Sequence, residues 1–192
     1  NYYYWPGTWV LDRPGLFTGS GLPMRFADVD GSRIDVYQAA TQMTDESDQT
    51  YSTHIDTLLD NAIGSKGYYA VVTANMHTDS GTSSGSDAIV TSAQTRGVAV
   101  VSAKQMLTWL DGRNSSSFRS LSWSGSTLTF TVVAGSGSRG LRALLPLTSR
   151  GGTLTGLTRD GNAVSWSSET IKGIAYATFP AAAGDYSATY AP

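Results

Sequence analysis

The 192-residue chain contains no cysteine. That absence excludes thiolate nucleophiles, disulfide frameworks and thiolate zinc sites together. Histidine occurs only at positions 54 and 77, and lysine only at 66, 104 and 172. Few side chains therefore titrate near neutral pH. Charged residues make up 15% of the chain and the net charge is −2. Without a basic footprint to displace counterions, no nucleic-acid partner is expected. No apolar run approaches the about 20 residues that cross a bilayer as a helix, so no membrane span is expected. No Gly-x-Ser-x-Gly nucleophile elbow is present. The stretch TDSGTSSGSD lacks the lysine and the glycine spacing of a phosphate loop.

Hydroxyls and rings are plentiful instead. Serine and threonine fill roughly a quarter of the positions, alongside ten tyrosines, five tryptophans and five phenylalanines. Low charge with many hydroxyls and rings suits a sugar-facing surface, and an extracellular or cell-surface location is expected. The chain opens at Asn1 without a signal-like apolar stretch. It reads as a processed product or a piece of something longer.

Two halves differ in pattern, meeting at the polar stretch from Gly112 to Ser117. In the first, Asp30-Gly31 supplies the turn of a hairpin within MRFADVDGSRIDVYQA. Ile55, Leu58, Leu59, Ala62 and Ile63 then repeat at helical spacing. YYAVVTANM reads as a buried strand, SDAIVTSAQTRG as a helix ending at Gly97, VAVVSA as a second buried strand and KQMLTWLDGR as a third helix. Strand–helix alternation with short joins implies parallel strands with helical crossovers. After Phe118 the pattern is all strand, with turns at Ser124-Gly125 and Asp160-Gly161. The core there is expected from Trp123, Phe130, Leu144, Trp166, Tyr176, Phe179 and Tyr186. The expected organisation is a partial α/β barrel over 1–114 and an Ig-like antiparallel β-sandwich over 115–192.

His77 ends a predicted parallel strand, at the edge where α/β sites gather. Asp79, two residues on, is placed to orient its imidazole. The two form the candidate catalytic pair, with strand capping as the structural alternative for His77. His54 sits beside Asp56 at a helix start, where a solvated or capping role is expected. Asp28, Asp30 and Asp35 lack the oxygen spacing of a calcium loop and read as turn chemistry. Asp45, Glu46 and Asp48 read as a solvated acidic loop. In the aromatic opening, Tyr4, Trp5 and Trp9 either stack on a glycan or belong to the core.

The stretches TLLDNAIGSKGYYAVVTANMHTD and DAIVTSAQTRGVAVVSAKQMLTWLDGR resemble the C-terminal half of the polysaccharide deacetylase (NodB-type) barrel, over roughly residues 1 to 112. The chain is also similar to large secreted bacterial proteins in which such a barrel precedes Ig-like modules. The resemblance implies that His77 matches the late histidine that protonates the leaving amine. The early Asp pair and the His-x-x-x-His ligands of that family have no counterpart. No metal and no cofactor are therefore expected, and the chain alone is not expected to catalyse deacetylation.

Half a parallel barrel leaves strand edges open. Its expected partners are a polysaccharide, the missing N-terminal half, or another copy of the chain receiving the strand GDYSATYAP. The leading functional expectation is an extracellular, carbohydrate-associated, deacetylase-like fragment without catalysis of its own. The alternatives are a structural cell-surface or filament subunit built by strand exchange, and a small glycan hydrolase using His77.

Overall fold

The computed structural model describes residues 23–45, 51–65, 70–149 and 152–192. These fall into two compact units that divide between Val100 and Val101.

The first unit begins with strands β1 (Met24–Ala27) and β2 (Arg33–Gln38), an antiparallel pair. The connecting turn closes through the Gly31 amide to the Asp28 carbonyl at 2.9 Å, and Gly31 takes φ +83°. An L-residue with a Cβ rarely adopts that angle, so the Asp-Gly signal has a direct structural cause. Strand β3 (Thr41–Thr44) is followed by helix α1 (Tyr51–Ile63) and strand β4 (Thr73–Asn75), and β3 and β4 are parallel. Helix α2 (Ser84–Thr95) completes the unit. It ends as Gly97 was expected to end it. The Gly97 amide bonds to the Gln94 carbonyl and the Val98 amide to the Ala93 carbonyl, with Gly97 at φ +67°. Met43, Ile55, Leu59 and Ala93 form a small core, with Leu58, Val72, Ala74, Ile89 and Val98 against it.

Outside that core, Arg96 clasps the two helices. Its Nε donates to Asp60 at 2.6 Å and its NH1 donates to Asp56 at 2.8 Å. Ser92 also donates to the Asp56 carboxylate.

The expected partial barrel is not formed. Among the described residues, parallel pairing stops at β3 and β4, and all other sheet pairing is antiparallel. The predicted strand VAVVSA is irregular, with Val100 and Val101 exposed. Its apolar run meets no pairing strand among the described residues. It runs into Ser102, whose side chain and Gln105 form a reciprocal capping box that starts a helix. YYAVVTANM yields only the three residues of β4 as strand, with Tyr68 and Tyr69 outside the described residues. Among the described residues strand exceeds helix, so the expected α/β class gives way to a mostly β fold with antiparallel sheets.

The second unit starts with that helix, α3 (Ala103–Ser115). Gly112 is buried where α3 meets the Ser136–Ser138 turn, and a Cβ there would run into the Ser136 carbonyl oxygen. Strands follow in order: β5 (Ser117–Ser124), β6 (Thr127–Val133), β7 (Arg142–Pro146), β8 (Thr148–Ser149) and β9 (Gly152–Arg159). The chain continues with β10 (Asn162–Ala163), β11 (Ser167–Ile171), β12 (Ile174–Pro180) and β13 (Gly184–Ala191). One sheet runs β10-β9-β13-β6-β5, with β8 also on β9, and the other runs β11-β12-β7. The terminal strand offered as a donor to another copy is thus occupied on both sides, by β6 and β9.

Both sheets contribute to one core that includes Phe130, Leu157, Phe179, Tyr186 and Tyr190. Alternation selects its members. Ala143 and Leu145 point in, so Leu144, expected in the core, is exposed. Leu154 and Leu157 stand three apart yet are both buried, because the β9–β13 register shifts between them. The apolar stretch IKGIAYATF does not run as one strand: a hairpin turns at Lys172-Gly173, with φ +50° and +80°. Consecutive positive φ angles are the signature of a two-residue hairpin turn, which the Lys-Gly pair disguised.

Phe179→Ala is expected to cost about 3–5 kcal/mol and Leu144→Ala about 0.5 kcal/mol or less. Urea denaturation of the two variants checks the assigned facing of β7 and β12.

Candidate functional site

Parallel strands end on the same side, so the residues following β3 and β4 are brought together. Asp45 comes directly after β3, and His77 stands two residues beyond β4. The His77 ring Nδ1 lies 2.9 and 3.0 Å from the two Asp45 carboxylate oxygens. The His77 backbone amide donates to the same carboxylate at 2.9 Å. Asp45 thus holds His77 by backbone and ring at once. The hydrogen bonds from the amide and then the ring hold its carboxyl below the usual carboxylate range, with the imidazole's charge adding to the effect and desolvation opposing it.

An ionised carboxylate only accepts, so Nδ1 carries the proton of this contact. The Asp45 carboxylate thereby fixes the orientation of the ring. The His77 side chain is 58% exposed and that of Asp45 29%. The pair faces solvent at the edge of a short sheet.

The carboxylate that meets His77 is therefore Asp45. Asp79 is exposed in the loop that follows. By residue type alone Asp45 belongs to a solvated acidic loop. The signal that finds it is registration: TQMT and TAN are parallel neighbours, which sets the residues after each strand side by side. Tyr4, Trp5 and Trp9 lie outside the described residues. His54, expected at the surface, is buried at 6% exposure.

The aspartates near the first hairpin serve its geometry. Asp28 accepts from the Val29 amide at 2.7 Å and Asp30 from the Ser32 amide at 2.8 Å. Asp35 pairs with Arg25 at 2.9 Å. Among the described residues, no group of three or more His, Asp or Glu side chains is placed to hold a metal ion. No helix of the described residues is long and apolar enough to cross a membrane.

Comparison with protein-family models, curated proteins and solved structures finds no match to this chain. The chemistry of its sites therefore rests on the geometry above.

Asp45→Ala is expected to accelerate hydrogen exchange at the His77 amide relative to its intrinsic rate, while leaving amides of β13 unchanged. The same loosening follows acidification. The Asp45 contribution is complete above the ordinary carboxylate value and is lost as pH falls through its lowered folded value. Amide exchange followed by NMR across that range checks both.

Proposed function

We propose that this chain is an extracellular, carbohydrate-associated protein in which His77 handles a proton for a bound glycan without completing a reaction alone. The observation that carries this reading is the Asp45–His77 pair at the shared edge of β3 and β4. A carboxylate-oriented imidazole is a standard general acid–base unit. Hydrolysis of a sugar amide also requires an activated water or a nucleophile. Among the described residues no group of three or more His, Asp or Glu side chains is placed to hold a metal ion beside the pair. The low charge and abundant hydroxyls of the chain favour a glycan over an ionic ligand.

An acetylated chitooligosaccharide tests this reading. Its addition is expected to shift the His77 ring signals in NMR, with no acetate released by the chain alone. Acetate release that is lost in His77→Ala makes the chain an enzyme instead. Unmoved His77 signals remove the glycan from this site.

One observation favours assembly as a second reading. Met24, Phe26, Ile34 and Val36 of the β1–β2 hairpin are all exposed, and among the described residues these strands pair only with each other. An apolar hairpin with unpaired edges is a template for an identical hairpin on a second copy. Light scattering is then expected to show a mass that rises with concentration and falls back in Phe26→Lys. A constant monomer mass excludes it.

A further inference from the structure

The contact between Asp45 and His77 depends on how β3 is aligned against β4, and one buried side chain governs that alignment. We propose that Gln42 is the positioning residue of the pair: its carboxamide oxygen holds the register in which the Asp45 carboxylate covers both the backbone amide and the ring of His77. This inference rests on the reading of that pair as the working site and names a further residue on which it depends.

The two strands do not pair one to one. Thr41 is level with Thr73 and Met43 with Ala74, so β3 advances two residues where β4 advances one. Gln42 is the extra residue. Such bulges are rare between parallel strands and are over-represented beside functional sites. The Gln42 side chain secures this one, because its Oε1 accepts from the Thr73 backbone amide at 2.6 Å. Gln42 is 4% exposed, so the bond is shielded from solvent. Loss of the acceptor there leaves a half-buried backbone donor without this partner, at a cost that water repays poorly.

The shift decides what Asp45 can reach. Thr44 is level with Asn75, and continuing that register sets Asp45 level with Met76. His77 is one residue further on, and its amide donates to the Asp45 carboxylate at 2.9 Å. Without the extra residue Asp45 would run level with His77 itself. Side chains of residues in register stand side by side and project away from the strand backbone. A carboxylate placed that way meets the ring and leaves the amide uncovered. The bulge therefore turns a side-by-side pair into a clasp on both groups.

Two side-chain oxygens from one short segment thus fasten β4, Gln42 at Thr73 and Asp45 at His77. Their settings differ. Gln42 is uncharged and buried, whereas the Asp45 carboxylate is partly exposed and titrates. Gln42 sets the register and Asp45 uses it.

The test uses the full chain and follows three NMR signals: hydrogen exchange at the Thr73 and His77 amides, and the titration of the Asp45 carboxyl. Gln42→Asn draws the acceptor back by one methylene. It is expected to speed exchange at both amides about tenfold. It is also expected to move the Asp45 titration up toward the ordinary carboxylate range, because the His77 contacts that lower it are lost. Ile55→Val thins the same small core and is expected to leave the Asp45 titration in place. Asp45→Ala is expected to release the His77 amide while Thr73 stays as protected as in the parent chain. The proposal is overturned if Gln42→Asn leaves the Asp45 titration unmoved, or if Ile55→Val moves it as far. It is overturned equally, whether or not Gln42→Asn folds, if Asp45→Ala releases Thr73 together with His77, since the pair would then hold the register itself. No glycan enters these measurements, so their failure is distinct from the failure of a glycan to shift the His77 signals.

Discussion

Tyr186 joins the two sheets of the second unit. Its ring stacks on Phe130 of the neighbouring strand, with centroids 5.2 Å apart and planes within 8°. Across the core it meets Phe179 of the other sheet at 5.5 Å. Its hydroxyl, which burial would otherwise leave unpaired, donates to the Ala182 carbonyl at 2.8 Å. Locking this residue locks β13, and β13 sits between β6 and β9. The same strand carries Tyr190 four residues later, on the same face, where its ring meets Trp123. Both rings belong to one core, set on the same face by the strand's period of two.

The first unit achieves less with less. Its buried core is small, and the Arg96 clasp between α1 and α2 lies toward solvent. Exposed ion pairs of this kind contribute little stability. What the unit does supply is a parallel strand pair, and a parallel pair requires a crossover that returns the chain to the same starting edge. Asp45 and His77 meet because of that return. A hairpin would have set the ends of its strands on opposite sides.

Several features could be read from residues alone. The Asp-Gly turns, the end of α2 at Gly97 and the helical spacing of Ile55 and Leu59 each have a local cause, and local causes survive folding. Other features could not. VAVVSA is as apolar as any buried strand, yet an apolar run becomes a strand only where a neighbour offers hydrogen bonds, and its neighbour is the capped start of α3. Leu144 looks like its flanking residues, but the facing of a strand is set by register and not by composition. Lys172-Gly173 hid a hairpin because lysine is not a usual turn residue. The barrel expectation failed for the same underlying reason: a sequence shows which segments are apolar, but not how many partners each will find.

The candidate site divides along the same line. The sequence by itself determined which chemistry was possible: no thiol, two histidines, few charges, and many rings and hydroxyls. It singled out His77 as a group worth examining. Tertiary structure alone decided that the partner of His77 is Asp45, 32 residues earlier. It decided also that Trp123 and Tyr190, far apart in the chain, lie ring against ring. The reason is geometric. Residue type fixes what a side chain can donate, accept or stack upon. Strand order and register fix what stands within reach of it, and those depend on contacts distributed across the whole unit.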